Sequence, residues 1–390
     1  MALFFSRDVK VYIKQDADTM WQIPVLDGYS FSQSMNTSEV TLSEMTLSDG
    51  SSRRGRVMFN DSLSASEWSF DTYARPFAAE AATGMWEDTA DLVIHSVEEP
   101  LLANFMAPAT WTPPATSASS WDAAVTSDTT TTGSVFDFLD SDKPALGTFT
   151  LYFVFDEDTN PQVYRIDEAA VSSMSLDFDI EGIATWNISG MGKKITDDGA
   201  SVPTATNPTI TEGIINSSGA AITSNFIRNR LTEMTITAAD TTNFPGESSN
   251  GVYNIPLTGG SISFENNISY LVPESLGIVN QPLEHVTGSR ALGASFTAYL
   301  GSGAGTSGQF FKDLVAASEV VRNSFDVTFI IGGDSSTTKI AVNFPQAHFE
   351  VPTISVEDVI SIESNLTAVP STLDTPDEAS LTYHGVAPSA

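Results

Sequence analysis

Most of the chain alternates apolar and polar residues with a period of two, the mark of half-buried β-strands. Asp8–Lys14 alternates in this way, and Trp21–Val25 leads through Gly28 into Tyr29–Asn36. Trp68–Tyr73 reads as a strand that Arg75-Pro76 ends. Four further runs follow: Thr148–Phe155, Val163–Ala169, Ser172–Ile180 and Ile183–Lys194. In the third of these, Met174, Leu176, Phe178 and Ile180 share one face. Ser173, Ser175, Asp177 and Asp179 share the other, which predicts a strand with an acidic wet side. The period changes to that of a helix over Gly84–Ala107, with an interruption at Pro100, and again over Gln309–Arg322.

The pattern occurs twice. Val163–Gly192 overlays Ala341–Pro370 at a single offset of 178, placing Ile166 on Phe344, Leu176 on Ile354 and Asp179 on Glu357. The same offset carries Trp186 onto Ser364 and Asn187 onto Asn365. Upstream, Phe149–Phe155 matches Phe325–Ile331, Ser69-Phe70 and Tyr73 match Ser295-Phe296 and Tyr299, and Ile23-Pro24 matches Ile255-Pro256. A repeat this long means two copies of a domain, because solenoid periods are ~20–50 residues. The expected layout is a first domain over 1–198, a linker over 199–227, a second domain over 228–370, and a C-terminal tail or edge segment over 371–390.

Between strands of the first copy lies a long polar stretch, Thr37–Glu67, which includes Arg53, Arg54 and Arg56. It reads as an extended β-hairpin arm reaching a neighbouring subunit, its arginines pairing with acids there. Residues 108–134 are an Ala/Thr/Ser/Pro-rich surface loop present in the first copy only.

Composition sharpens this picture. Hydrophobic residues make up 41% of the 390, enough for two cores, while charged residues are only 17%. The 49 acids against 17 bases give a net charge of −32, a surface that repels nucleic acid and anionic lipid. There is no cysteine, so disulfides and thiolate metal sites are excluded. No signal-peptide core and no membrane span is visible, and a cytosol-like space is expected.

Candidate chemistry is sparse. The four histidines, His95, His285, His348 and His384, lie far apart and read as surface or satisfied core residues. Asp156-Glu-Asp158 lacks the glycine and the terminal glutamate of a calcium loop and reads as a hairpin turn. The sequons at Asn187 and Asn365 fall inside expected strands and read as incidental. No nucleophile elbow, phosphate loop or zinc signature occurs, so no catalytic residue, cofactor or metal is expected.

The four late strands closing on Trp186-Asn-Ile-Ser-Gly190-Met-Gly192, the Ile-Pro entry, the long polar arm, and Trp68-x-Phe70 ahead of a helix together resemble the major tail proteins of bacteriophages. The resemblance is to the tail tube proteins of long, non-contractile (siphovirus-type) tails. It implies a mainly β protein: two tandem β-sandwich or barrel domains, each with a flanking α-helix and a long β-hairpin arm. It further implies homotrimeric, pseudo-hexameric rings stacked into a hollow tube, through which double-stranded DNA passes at ejection without specific binding. Implied partners are the tape measure protein and the tail terminator and distal tail proteins, with no membrane. The implied location is the virion tail, with host cytoplasm as the place of assembly. On this reading Ser175, Asp177, Asp179, Ser355 and Glu357 are candidates to face the lumen, and Arg53, Arg54 and Arg56 belong to an inter-ring arm. The alternatives are a tandem β-sandwich adhesin or a tail decoration or sheath protein, and a β-sandwich carbohydrate-active enzyme.

Overall fold

The structure is a computed structural model. It describes residues 4–15, 20–40, 48–50, 57–80, 92–106, 135–137, 146–155, 160–205, 214–215, 221–222, 226–272, 281–317, 324–332, 339–356, 359–372 and 375–384. Strands dominate it.

The first half of the chain supplies β1 (Val9–Lys14), β2 (Met20–Ile23), β3 (Ser30–Val40), β4 (Val57–Tyr73), β5 (Pro76–Glu80) and β6 (Leu92–Ser96). These are followed by helix α1 (Glu99–Met106), β7 (Val135–Asp137), β8 (Phe149–Phe155), β9 (Gln162–Asp179), β10 (Thr185–Gly192) and β11 (Lys194–Gly199). A short pair, β12 (Ile214–Ile215) and β13 (Ala221–Ile222), precedes the second half. There follow β14 (Glu233–Ala238), β15 (Val252–Glu265), β16 (Ile268–Tyr270), β17 (His285–Thr287), β18 (Ala291–Tyr299) and helix α2 (Ser307–Ala316). The chain finishes with β19 (Phe325–Ile331), β20 (Lys339–Phe349), β21 (Thr353–Val356), β22 (Ile360–Ala368) and β23 (Ser380–His384).

One antiparallel pairing scheme runs through both halves. β1 lies between β2 and β8, and β14 lies between the start of β15 and β19. Phe149 faces Ala169 and Leu151 faces Ile166, with a bulge between. Likewise Phe325 faces Ala347 and Val327 faces Phe344, with a bulge at the same place. β10 joins β9 to β4, as β22 joins β20–β21 to β18. The sequence overlay therefore holds through β8–β9 and β19–β20. It slips at the closing strand. Thr185 faces Tyr73 and Ser361 faces Tyr299, so Trp186 corresponds to Ile362, not to Ser364. The cause is loop length: five residues separate β9 from β10 and three separate β21 from β22.

Three expectations change. The helix over Gly84–Ala107 is only Glu99–Met106, because Leu92–Ser96 is a strand paired with Pro76–Glu80. Pro100 sits in the first turn, where its missing N–H costs nothing. The two runs Val163–Ala169 and Ser172–Ile180 are a single strand, β9, bent where Glu168 takes a left-handed φ of 48°. Ile180 lies past the end of that strand and is exposed rather than in the core. The segment after 370 contains β23, which has partners on both sides, β20 and β7.

The halves share one core. Phe178 of β9 meets Phe329 of β19, and Trp186 of β10 meets Phe264 of β15, which also packs near Phe344. Close packing constrains the small residues. A Cβ on Gly190 would lie 2.2 Å from both the Ala170 carbonyl oxygen and the Trp68 ring. Gly190→Ala is expected to destabilise the protein by about 1–3 kcal/mol, a shift that thermal denaturation would read directly.

Candidate functional site: the basic-free face of the continuous sheet

The two halves fuse where the second part of β9 pairs with β15, from Gly259 opposite Asp179 to Glu265 opposite Ser173. This makes one uninterrupted run of strands: β3, β4, β10, β9, β15, β18, β22 and β21. Its inner face is apolar, with Trp68, Phe70, Trp186, Leu176, Ile262 and Phe296 buried. Alternation, interrupted by a bulge in β15, puts Ser, Thr, Asn and acids on the other face.

That outer face has a single sign of charge. Across β3, β4, β10, β15, β18, β21, β22 and residues 173–179 of β9 there is no lysine, arginine or histidine. Acids are spread over it: Glu67 and Asp71 on β4, Asp177 and Asp179 on β9, Glu265 on β15 and Glu363 on β22. Asp177 is held in place, accepting hydrogen bonds from Asn187 Nδ2 and, across the joint, from Ser261 Oγ at 2.5 Å. Partial burial, with the Asp177 charge adding to it, raises the Asp71 carboxyl above the usual range.

Of the residues singled out in the sequence, Asp177 and Asp179 lie exposed on this face, Ser175 is half-buried beside them, and Ser355 is exposed on β21. Glu357 and Arg53, Arg54 and Arg56 lie outside the described residues. The strands flanking those arginines form the expected hairpin, paired from Ser30–Ser69 out to Val40–Val57. The sequence reading passed over Asp71, Glu265 and Glu363. The signal that finds them is the absence of bases at outward positions of every strand in the run.

His285 behaves as a core histidine. Its Nε2 accepts the Leu146 N–H at 3.1 Å, and burial lowers its pKa. Among the described residues no group of three His, Asp or Glu side chains is placed to share a metal ion. No described helix is long and apolar enough to cross a membrane.

The model of the family described as "Phage tail tube protein" matches residues 67–383. The chain belongs to the phage tail tube protein family. It is 27% identical over 393 residues to "Tail tube protein pb6" of Escherichia phage T5, an alignment spanning 98% of this chain and 76% of the other. It is thus a structural protein of the phage tail, and the mainly β, antiparallel architecture agrees with the fold of this family.

Behind the sheet, a buried polar cluster ties the two halves of this tail tube protein together. Trp186 Nε1 donates to Tyr383 Oη at 2.8 Å, and Tyr383 Oη donates to Glu98 Oε1. Trp186 belongs to β10, Glu98 precedes α1, and Tyr383 is on the C-terminal strand. Arg75, also buried, lies close enough to favour the Glu98 charge and stacks on the Phe226 ring. Burial dominates and pushes the Glu98 carboxyl up to about 7, against the pull of Tyr383 and Arg75. A carboxyl raised in the folded state favours folding less as it ionises. Stability is therefore expected to fall between pH 4.5 and about 7 by on the order of 3 kcal/mol, and to stay lower above that. Glu98→Gln should flatten this slope, as measured by denaturant unfolding across that pH range.

Proposed function

We propose that three copies of this chain close side by side into a ring with six quasi-equivalent β domains, and that rings stack into the hollow tail tube. Each chain contributes two such domains, 1–198 and 228–370. The outward face of the continuous sheet turns to the bore, lined by Ser175, Asp177, Asp179, Ser355 and Glu357 together with Asp71, Glu265 and Glu363. The observation that carries this reading is the eight-strand run with acids and hydroxyls on one face and no base among them. A wall of that kind gives DNA phosphate no cation to release counterions against, so the duplex slides through instead of adsorbing.

The hairpin β3–β4, tipped in sequence by Arg53, Arg54 and Arg56, bridges adjacent rings. Its described end exposes Val40, Val57, Met58 and Phe59, apolar surface suited to burial against another subunit. The tape measure protein occupies the bore before DNA does, and terminator and distal tail proteins cap the ends. Assembly takes place in the host cytoplasm.

Replacing Asp177 and Asp179 together by Lys is expected to leave tubes intact and slow DNA ejection, read as delayed genome release from triggered virions. Ejection at the parental rate from intact tubes would place these residues away from the bore. Image reconstruction of the tube should show threefold rather than strict sixfold symmetry.

A further inference from the structure

The joint inside the chain has both of its halves repeated at the chain's outer edges. Within the chain, β9 offers its edge to β15. The counterpart of this part of β9 is β21, and the counterpart of the paired part of β15 is the start of β3. Among the described residues β21 pairs only with β22, and β3 only with β4, so each keeps one open edge. These edges end the continuous sheet on its two sides. Unpaired edges of this kind invite a further strand.

Side-chain exposure points the same way. Leu176 and Phe178 on β9 are 0% and 4% exposed because β15 and the second half cover them. Ile354 and Val356, their counterparts on β21, are 45% and 76% exposed. The chain thus leaves open on β21 the apolar surface that it buries on β9.

We infer that the open edge of β21 takes the β3 edge of a second copy as an antiparallel strand, with Ser355 opposite Ser30 and Ile354 opposite Phe31. This rests on the ring reading above and specifies the joint between its chains. The register follows from the internal joint, where Ser261 faces Asp177 and Ile262 faces Leu176.

The placement of aromatic rings supports that register. Inside the chain the large Phe178 faces Gly260, where a Cβ would meet the Phe178 ring at 2.7 Å. At the outer joint the size order reverses: the smaller Val356 faces Tyr29. Each pair sets one aromatic ring against a smaller residue, with the ring on the opposite strand in the outer joint. Phe178 rests on Phe329. The counterpart of Phe329 is Phe153, which already stacks on Phe31 at 4.6 Å and packs beside Tyr29. Ile354 and Val356 of one copy therefore find an aromatic floor in the next.

The absence of cysteine makes this testable by crosslinking. Directly opposed strand residues lie within disulfide reach, and residues displaced by two positions do not. Tubes assembled from a Ser30→Cys/Ser355→Cys chain and then oxidised should run as covalent multimers closing at the trimer on non-reducing gels. A Ser32→Cys/Ser355→Cys chain should crosslink severalfold less. Asp177→Cys/Ser261→Cys should close within the monomer, as the internal control. Val356→Asp should unfold at the parental temperature yet form no rings by sedimentation.

Intact tubes that crosslink better through Ser32, or Val356→Asp chains that assemble normally, would overturn the joint and leave the ring reading standing. A parental chain that never self-associates would overturn the ring reading and the joint with it.

Discussion

A β-strand has two hydrogen-bonding edges, and β9 satisfies its two with partners from different halves of the chain. β10 takes one edge and β15 the other over the stretch from Ser173 to Asp179. Without the second pairing, β9 and β15 would each be left with an exposed edge, in addition to the open edges of β3 and β21. With it, they form one continuous sheet whose inward residues pack into one core and whose outward residues form one polar face. Edge pairing is directional and register-bound, so it sets the relative position of the repeats more tightly than apolar contact alone.

The buried cluster of Trp186, Tyr383, Glu98 and Arg75 is a second tie between the halves. It fastens the last strand of the chain, behind the sheet, to residues near its first helix. Burying a carboxylate is costly unless it is paired and hydrogen-bonded, and Glu98 receives a phenol and lies near a guanidinium. Tyr383 is in turn oriented by the indole of Trp186. Removing Tyr383 would leave both the Trp186 N–H and the Glu98 carboxyl without this buried partner, so these three act as a unit, with Arg75 adding charge.

A tail tube protein needs a wall that neither grips nor tangles what passes through it. In the ring proposed above, the outward face of this sheet supplies that wall through its composition: hydroxyls and amides for solvation, carboxylates for repulsion, and no base. The chain does carry arginine and lysine, but elsewhere, as in the Arg165 pairs with Asp167 and Asp198 and the Arg290 pair with Glu378.

The sequence by itself showed most of the long strands, the buried side of those in the core, and the repeated pattern, because alternation is a local property of the chain and survives divergence. It also showed the acidic side of β9 and the hairpin arm. It misjudged Leu92–Ser96 as helix, since a short apolar run beside a proline fits either period. It also misaligned β22 by two residues, for a definite reason: a shift of two keeps every side chain on its own face, so no hydrophobic pattern can detect it. Only hydrogen-bond register decided that Trp186 answers to Ile362. Tertiary structure alone likewise decided that β9 meets β15, that Tyr383 reaches Glu98 from nearly three hundred residues away, and that Ile354 and Val356 are left uncovered. Each of these depends on which strand edges come together in space, and strands far apart in sequence carry no local mark of their partner.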